Sequence, residues 1–186
     1  MPLTPISAAR VLVVEDDELI RDIIGCTLAD AGLEVSTAPT AWVALDMLDR
    51  NEFALVVTDF ALPDGLDGLE LVRYARSRHP SLRSLFVSGC TEPIGDDPDL
   101  DNFVAKPFWK SELLGCVWEL LCREVPRSRL ACSSSRLAEL AIVEAKVRCL
   151  RPQHRRMPPT TRRRRQRRRQ PTALVPAAPI YTRIPN

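Results

Sequence analysis

Apolar positions in the first 124 residues alternate between two rhythms. Short, nearly continuous apolar runs at Val11 to Val14, Phe53 to Val57, Leu85 to Val87 and Phe103 to Ala105 predict buried β-strands, and Leu33 to Thr37 is a weaker fifth. Between them, apolar residues fall at helical spacing: Leu19, Ile20, Ile23, Ile24 and Leu28; Ala41, Ala44, Leu45 and Leu48; Leu69, Val72 and Ala75; Leu113, Leu114, Val117, Trp118 and Leu121. Asp17 and Thr40 stand where helix N-caps belong.

Strands that alternate with helices predict a parallel sheet, because a parallel crossover needs a dozen or more residues and a helix supplies them. The fold class read from this pattern is α/β, a doubly wound five-stranded parallel sheet. Ligands of such sheets bind beyond the carboxyl ends of the strands, at a switch point in strand order.

Composition adds limits. The 186 residues are 45% hydrophobic and 27% charged, and no run reaches the roughly 18–20 apolar residues of a membrane span. The amino end lacks the form of a signal peptide, so a cytoplasmic location is expected. Six cysteines show no Cys-x-x-Cys pairing. They are read as reduced, with Cys26 and Cys116 as buried packing.

Charge divides the chain in two. Residues 1–125 carry 10 Lys+Arg against 22 Asp+Glu, net −12, whereas residues 126–186 carry 16 against 2, net +14. The break near Pro126 separates a domain over residues 8–124 from a basic, largely disordered tail over 125–186, with at most one helix near 135–150. Leu137, Leu140, Ala141, Val143, Val147 and Leu150 would line that helix.

The strand ends carry the chemistry. Glu15-Asp16-Asp17 closes the first strand, Thr58-Asp59 the third, Ser88-Gly89 the fourth and Lys106-Pro107 the fifth. Carboxylates that converge repel one another unless a cation sits among them, and their oxygens suit a hard ion such as Mg²⁺. A carboxylate beside that ion is a nucleophile for phosphorus, while a hydroxyl and an ammonium bind the incoming oxygens. Asp17 reads as a cap rather than a ligand, and Asp64 and Asp67 as solvated residues of a Pro/Gly turn.

Four segments together resemble the ordered motifs of response-regulator receiver domains: Val11 to Asp17, Val56 to Gly68, Phe86 to Gly89 and Phe103 to Phe108. The resemblance covers roughly residues 8–124 and implies a flavodoxin-like, receiver-type fold of the CheY-like superfamily. It implies that Asp59 is the phosphoacceptor and that Glu15, Asp16 and the Ala61 carbonyl join Asp59 in holding Mg²⁺. Ser88 and Lys106 would bind phosphoryl oxygens, Ser88 and Phe103 would form the switch, and the Lys106-Pro107 bond would be cis. The donor would be a histidine kinase or a histidine phosphotransfer protein, with a downstream protein target. Ala61 and Gly89 leave the mouth small-sided, open to small phosphodonors as well. Such a protein assists its own phosphorylation and hydrolysis, and is not an enzyme turning over an external substrate.

The chain departs from the family pattern at Cys90 to Asp101, where two prolines and a glycine predict a shortened fourth helix. Beyond Pro126 nothing predicts a DNA-binding domain. Arg162 to Gln170 holds seven arginines in nine positions, so nucleic acid is a conceivable ligand of Arg162 to Arg169, without aromatics for base stacking. A receiver that regulates this tract is the alternative function. A haloacid-dehalogenase-type phosphatase would carry Asp at the position of Ala61, and a nucleotide-binding module would carry glycines where Glu15-Asp16-Asp17 stands.

Overall fold

The computed structural model describes residues 9–63, 65–89, 100–123 and 134–151. Five strands, β1 (Arg10–Val14), β2 (Glu34–Ala38), β3 (Leu55–Thr58), β4 (Arg83–Ser88) and β5 (Asn102–Ala105), form one sheet in the order β2-β1-β3-β4-β5. All four pairings are parallel. The helices are α1 (Glu18–Asp30), α2 (Ala41–Leu48), α3 (Gly68–Arg78), α4 (Lys110–Cys122) and α5 (Ser134–Leu150).

Alternation along the strands sends side chains to two cores. Leu12, Val14 and Val56 meet Trp42 and Leu45 of α2 and Leu71, Tyr74 and Ala75 of α3 on one face. Val11, Val13, Leu55, Val57, Leu85 and Val104 meet Ile24 and Leu28 of α1 and Leu113, Val117 and Leu120 of α4 on the other. Burial on both faces explains why the strands read as continuous apolar runs. A leucine as deeply buried as Leu12, Leu55 or Leu85 contributes about 1.5–3 kcal/mol.

Local chemistry fixes the helix starts. Asp17 caps α1 by accepting the Ile20 N–H at 3.0 Å, and Thr40 caps α2 by accepting the Val43 N–H at 3.3 Å. Asp67 corrects the expectation of a solvated turn residue. Its side chain accepts the Glu70 N–H at 2.7 Å while the Glu70 carboxylate accepts the Asp67 N–H at 3.1 Å, a complete capping box at the start of α3.

Leu19, Ile23 and Cys26 fall on one side of α1 and are exposed. Cys26 is therefore not core packing, since the buried face of α1 runs through Ile24, Gly25, Thr27 and Leu28. Cys116 is half-buried rather than buried, beside the inward residues Leu113 and Val117 of α4.

α5 belongs to the same compact unit as the sheet, so the packed unit runs past the charge break near Pro126. Val143 and Val147, one turn apart, enter the core cluster of α2 and α3. Leu137 and Ile142 remain exposed. The expected shortening of the fourth helix falls on residues 90–99, outside the described residues, as do Asp64 and the arginines from Arg162 to Arg169.

Candidate functional site

The 2-1-3-4-5 order puts the switch point between β1 and β3, and the carboxyl ends of both strands carry acid groups. Register brings them level: Val14 pairs with Thr58, so Glu15 and Asp59 follow side by side, and the Asp59 N–H donates to the Val14 carbonyl at 2.9 Å. Glu15, Asp16 and Asp59 each offer a carboxylate oxygen, all within 4.8 Å of one another. Glu15 is 1% exposed and Asp59 8%, whereas Asp16 faces solvent.

Lys106 completes the cluster. Its Nζ donates to Asp59 Oδ2 at 2.6 Å and to Glu15 Oε2 at 2.7 Å. The Lys106-Pro107 peptide is cis, and the Lys106 N–H donates to the Ser88 carbonyl at 2.8 Å. Burial works against the charge on Lys106, but the bonds to Asp59 and Glu15 outweigh it and hold the ammonium above its ordinary pKa. Burial pushes the Glu15 carboxyl up, and the Lys106 ammonium offsets only part of that rise.

Ser88 ends β4, buried, with Ala105 as its register partner on β5. Phe103, two residues earlier on β5, is half-buried and in register with Phe86. Ala61 donates its N–H to Asp59 Oδ1 at 3.0 Å, which orients the Asp59 carboxylate. Among the described residues, a Cβ on Gly89 would meet nothing within 4 Å.

Several supporting residues had no assigned role in the sequence. The Arg21 guanidinium donates to the backbone carbonyls of Glu15 at 2.8 Å and Asp16 at 3.2 Å, fixing the turn that carries the acid pair. Gly68 lies so close to Asp59 that a Cβ there would sit 2.1 Å from the Asp59 carbonyl oxygen. The Asp67-Gly68 step ahead of a helical pattern was the available signal for that approach. Nothing local pointed to Arg76, whose buried guanidinium binds the Leu82 carbonyl, the Ser84 hydroxyl and Asp101.

The residues present suit a hard divalent cation. Three carboxylates supply oxygen donors without nitrogen or sulfur, and oxygen ligands are what Mg²⁺ prefers. Among the described residues, no helix is long and apolar enough to cross a membrane.

Comparison with known proteins agrees with this geometry. The family described as response regulator receiver domain matches residues 11–117. The response regulator receiver protein CpdR of Brucella abortus is 30% identical over 116 residues, which are 60% of this chain and 96% of that protein. The response regulator MprA of Mycobacterium bovis is 32% identical over 139 residues, 73% of this chain and 60% of MprA. FleR of Pseudomonas aeruginosa, a response regulator protein, is 33% identical over 144 residues, 72% of this chain but 30% of FleR. The chain thus spans less than two thirds of the length of MprA and FleR. Among solved structures, the chemotaxis response regulator CheY4 of Vibrio cholerae superposes with a TM-score of 0.56 at 28% identity, covering 61% of this chain and 98% of CheY4. The response regulator TrrA of Thermotoga maritima, solved in complex with Mg²⁺ and beryllofluoride, gives 0.56 at 28% identity over 60% of this chain and 98% of TrrA.

Proposed function

Because this chain belongs to the response regulator receiver family of two-component signalling, we propose that it accepts a phosphoryl group on Asp59 from a histidine kinase or a histidine phosphotransfer protein. The observation that carries this reading is the convergence of Glu15, Asp16 and Asp59 oxygens within 4.8 Å, with the Lys106 ammonium bonded to two of the three residues.

An Asp59 carboxylate oxygen forms the new bond to phosphorus as the P–N bond of phosphohistidine breaks and the imidazole departs. Glu15, Asp16, Asp59 and the Ala61 carbonyl would hold Mg²⁺, which would neutralise charge on the transferred group. Lys106 exchanges part of its bonding from Asp59 to a phosphoryl oxygen, and the Ser88 hydroxyl donates to another. Movement of Ser88 draws the half-buried Phe103 inward, a population shift between two packings that reaches the surface around β5. The output is a changed protein–protein surface. The chain acts on its own aspartate rather than turning over an external substrate. A cytoplasmic location goes with this reading, since the donor phosphohistidine is formed there.

The test is phosphate incorporation from acetyl phosphate and from a histidine-phosphorylated donor, with and without Mg²⁺, on the wild type and Asp59→Asn. Metal-dependent, alkali-labile label absent from Asp59→Asn is expected. A folded wild type that takes no label from either donor would overturn the reading.

A further inference from the structure

Helix α5 meets the capping box at the start of α3 through a charged side chain. Lys146 Nζ lies 2.6 Å from both Glu70 Oε1 and Glu70 Oε2. That carboxylate is already half of the capping box: its Oε2 accepts the Asp67 N–H at 3.1 Å. The capping box closes the loop that begins at Asp59. Within that loop the Gly68 N–H donates to the Phe60 carbonyl at 2.9 Å, and the Ala61 N–H donates to Asp59 Oδ1 at 3.0 Å.

The helix that carries Lys146 is held over the same place. Val143 and Val147 are buried in the core cluster against which Leu62 of the loop also packs. Leu150 Cδ1 lies 3.4 Å from the position a Cβ would take on Gly65, a loop residue with φ of +78°. One residue further on, Arg151 Nη2 binds Asp46 and, at 3.0 Å, Asp49, which ties α5 to α2 as well.

We infer that Lys146 is a positioning residue for the acceptor loop: by clamping the Glu70 carboxylate it stiffens the capping box and so holds the loop that aims Asp59. The inference rests on the phosphoacceptor reading of Asp59. Glu70 alone makes a capping box in which its carboxylate is free to leave for water. With both oxygens held by an ammonium, that carboxylate loses the alternative, and charge-assisted bonds of this kind are stronger than neutral ones. A residue 87 positions away in the chain is thereby part of the apparatus that keeps Asp59 Oδ1 on the Ala61 N–H. By reciprocity, a ligand that tightens the loop also tightens the seat of α5.

Hydrogen–deuterium exchange on the full chain tests this without any bound group, because the Ala61, Asp67 and Gly68 amides are all hydrogen-bonded reporters of the loop. Lys146→Ala is expected to speed their exchange about fivefold relative to the wild type, with Lys146→Arg restoring most of the protection. Glu70→Gln combined with Lys146→Ala is expected to exchange no faster than Glu70→Gln alone, the non-additivity of two partners in one interaction. The Asp49 amide, bonded to the Leu45 carbonyl on α2, is expected to keep its wild-type rate. In parallel, half-saturation by Mg²⁺ in acetyl phosphate labelling should rise several-fold in Lys146→Ala with little change in the maximal rate. Loop amides that exchange in Lys146→Ala as in the wild type would overturn the inference, as would equal acceleration at Asp49, which marks general loosening. Loop loosening in Lys146→Ala, together with a wild type that binds no Mg²⁺ and takes no label, would support the Lys146 tether and overturn the phosphoacceptor reading instead.

Discussion

Lys106 and Asp59, 47 residues apart in the chain, form an ion pair at 2.6 Å in which both side chains are largely buried, at 16% and 12% exposure. The same ammonium binds Glu15 at 2.7 Å. One cation therefore compensates two carboxylates, and its removal leaves them facing each other. Lys106→Ala is expected to lose about 3 kcal/mol of stability at neutral pH without divalent metal, since breaking a buried pair strands the remaining charge. Millimolar Mg²⁺ should recover more stability in this variant than in the wild type. Thermal unfolding of both proteins with Mg²⁺ and with chelator checks this; equal Mg²⁺ responses would count against a shared site.

Alkaline pH gives a second route to the same pair. Bonding to Asp59 and Glu15 raises the folded-state pKa of Lys106 above that of an ordinary lysine, despite burial. A raised folded pKa means that the stabilisation is fully present below the unfolded lysine value, about 10.4, and is lost as pH climbs through the folded value. Wild-type stability should therefore fall more steeply than that of Lys106→Met above about pH 10. Urea unfolding midpoints across that range measure the difference.

Gly68→Ala should damage both fold and site. Its Cβ would meet the Asp59 carbonyl oxygen at 2.1 Å and Thr58 Oγ1 at 3.1 Å, and the first neighbour is backbone that cannot swing aside. A cost of about 2–3 kcal/mol is expected from overpacking, with weaker labelling of Asp59. Gly89→Ala, where a Cβ meets open space, should stay within about 0.5 kcal/mol of the wild type. Denaturant titration of the two variants side by side separates close approach from a general dislike of losing glycine.

Arg76 and Asp101 form a buried pair, each side chain 5% exposed, that ties the last turn of α3 to the residue before β5. Asp101 also accepts the Ser84 N–H at 2.8 Å, so one carboxylate joins α3, β4 and β5. Arg76→Met is expected to cost about 3–5 kcal/mol by removing the guanidinium that balances the buried Asp101 charge. Combining it with Asp101→Leu should cost less than the sum of the single changes, which a double-mutant cycle by chemical denaturation measures.

The strands, the helices, including the one expected near 135–150 and found at Ser134–Leu150, and the acid, hydroxyl and lysine residues at the strand ends were legible in the sequence because each is written locally. Val11 to Val14 is apolar throughout since both faces of β1 are covered, and Asp17 and Thr40 cap helices through atoms three residues away. Glu15, Asp59, Ser88 and Lys106 were found from their places at strand ends, which the topology alone makes neighbours.

Tertiary structure decided the rest, because facing surfaces cannot be read from either surface alone. The α1 pattern contains Leu19 and Ile23 as well as Ile24 and Leu28, but the face that α1 turns to the sheet carries Ile24 and Leu28 and leaves Leu19 and Ile23 exposed. Asp67 reads as a turn residue until Glu70 returns its hydrogen bond, and nothing local to Glu70 announces Lys146, which meets it from α5. Arg76 and Asp101 are 25 positions apart and meet only because β4 lies between their elements. The sequence by itself determined which segments become strands and helices and which acids stand at the strand ends. Which helix face meets which partner, and how a lysine beyond the charge break reaches Glu70, followed from the order of the strands and the packing of α5 on α3. Those are long-range arrangements, fixed by burying apolar surface across the whole chain rather than by any local propensity.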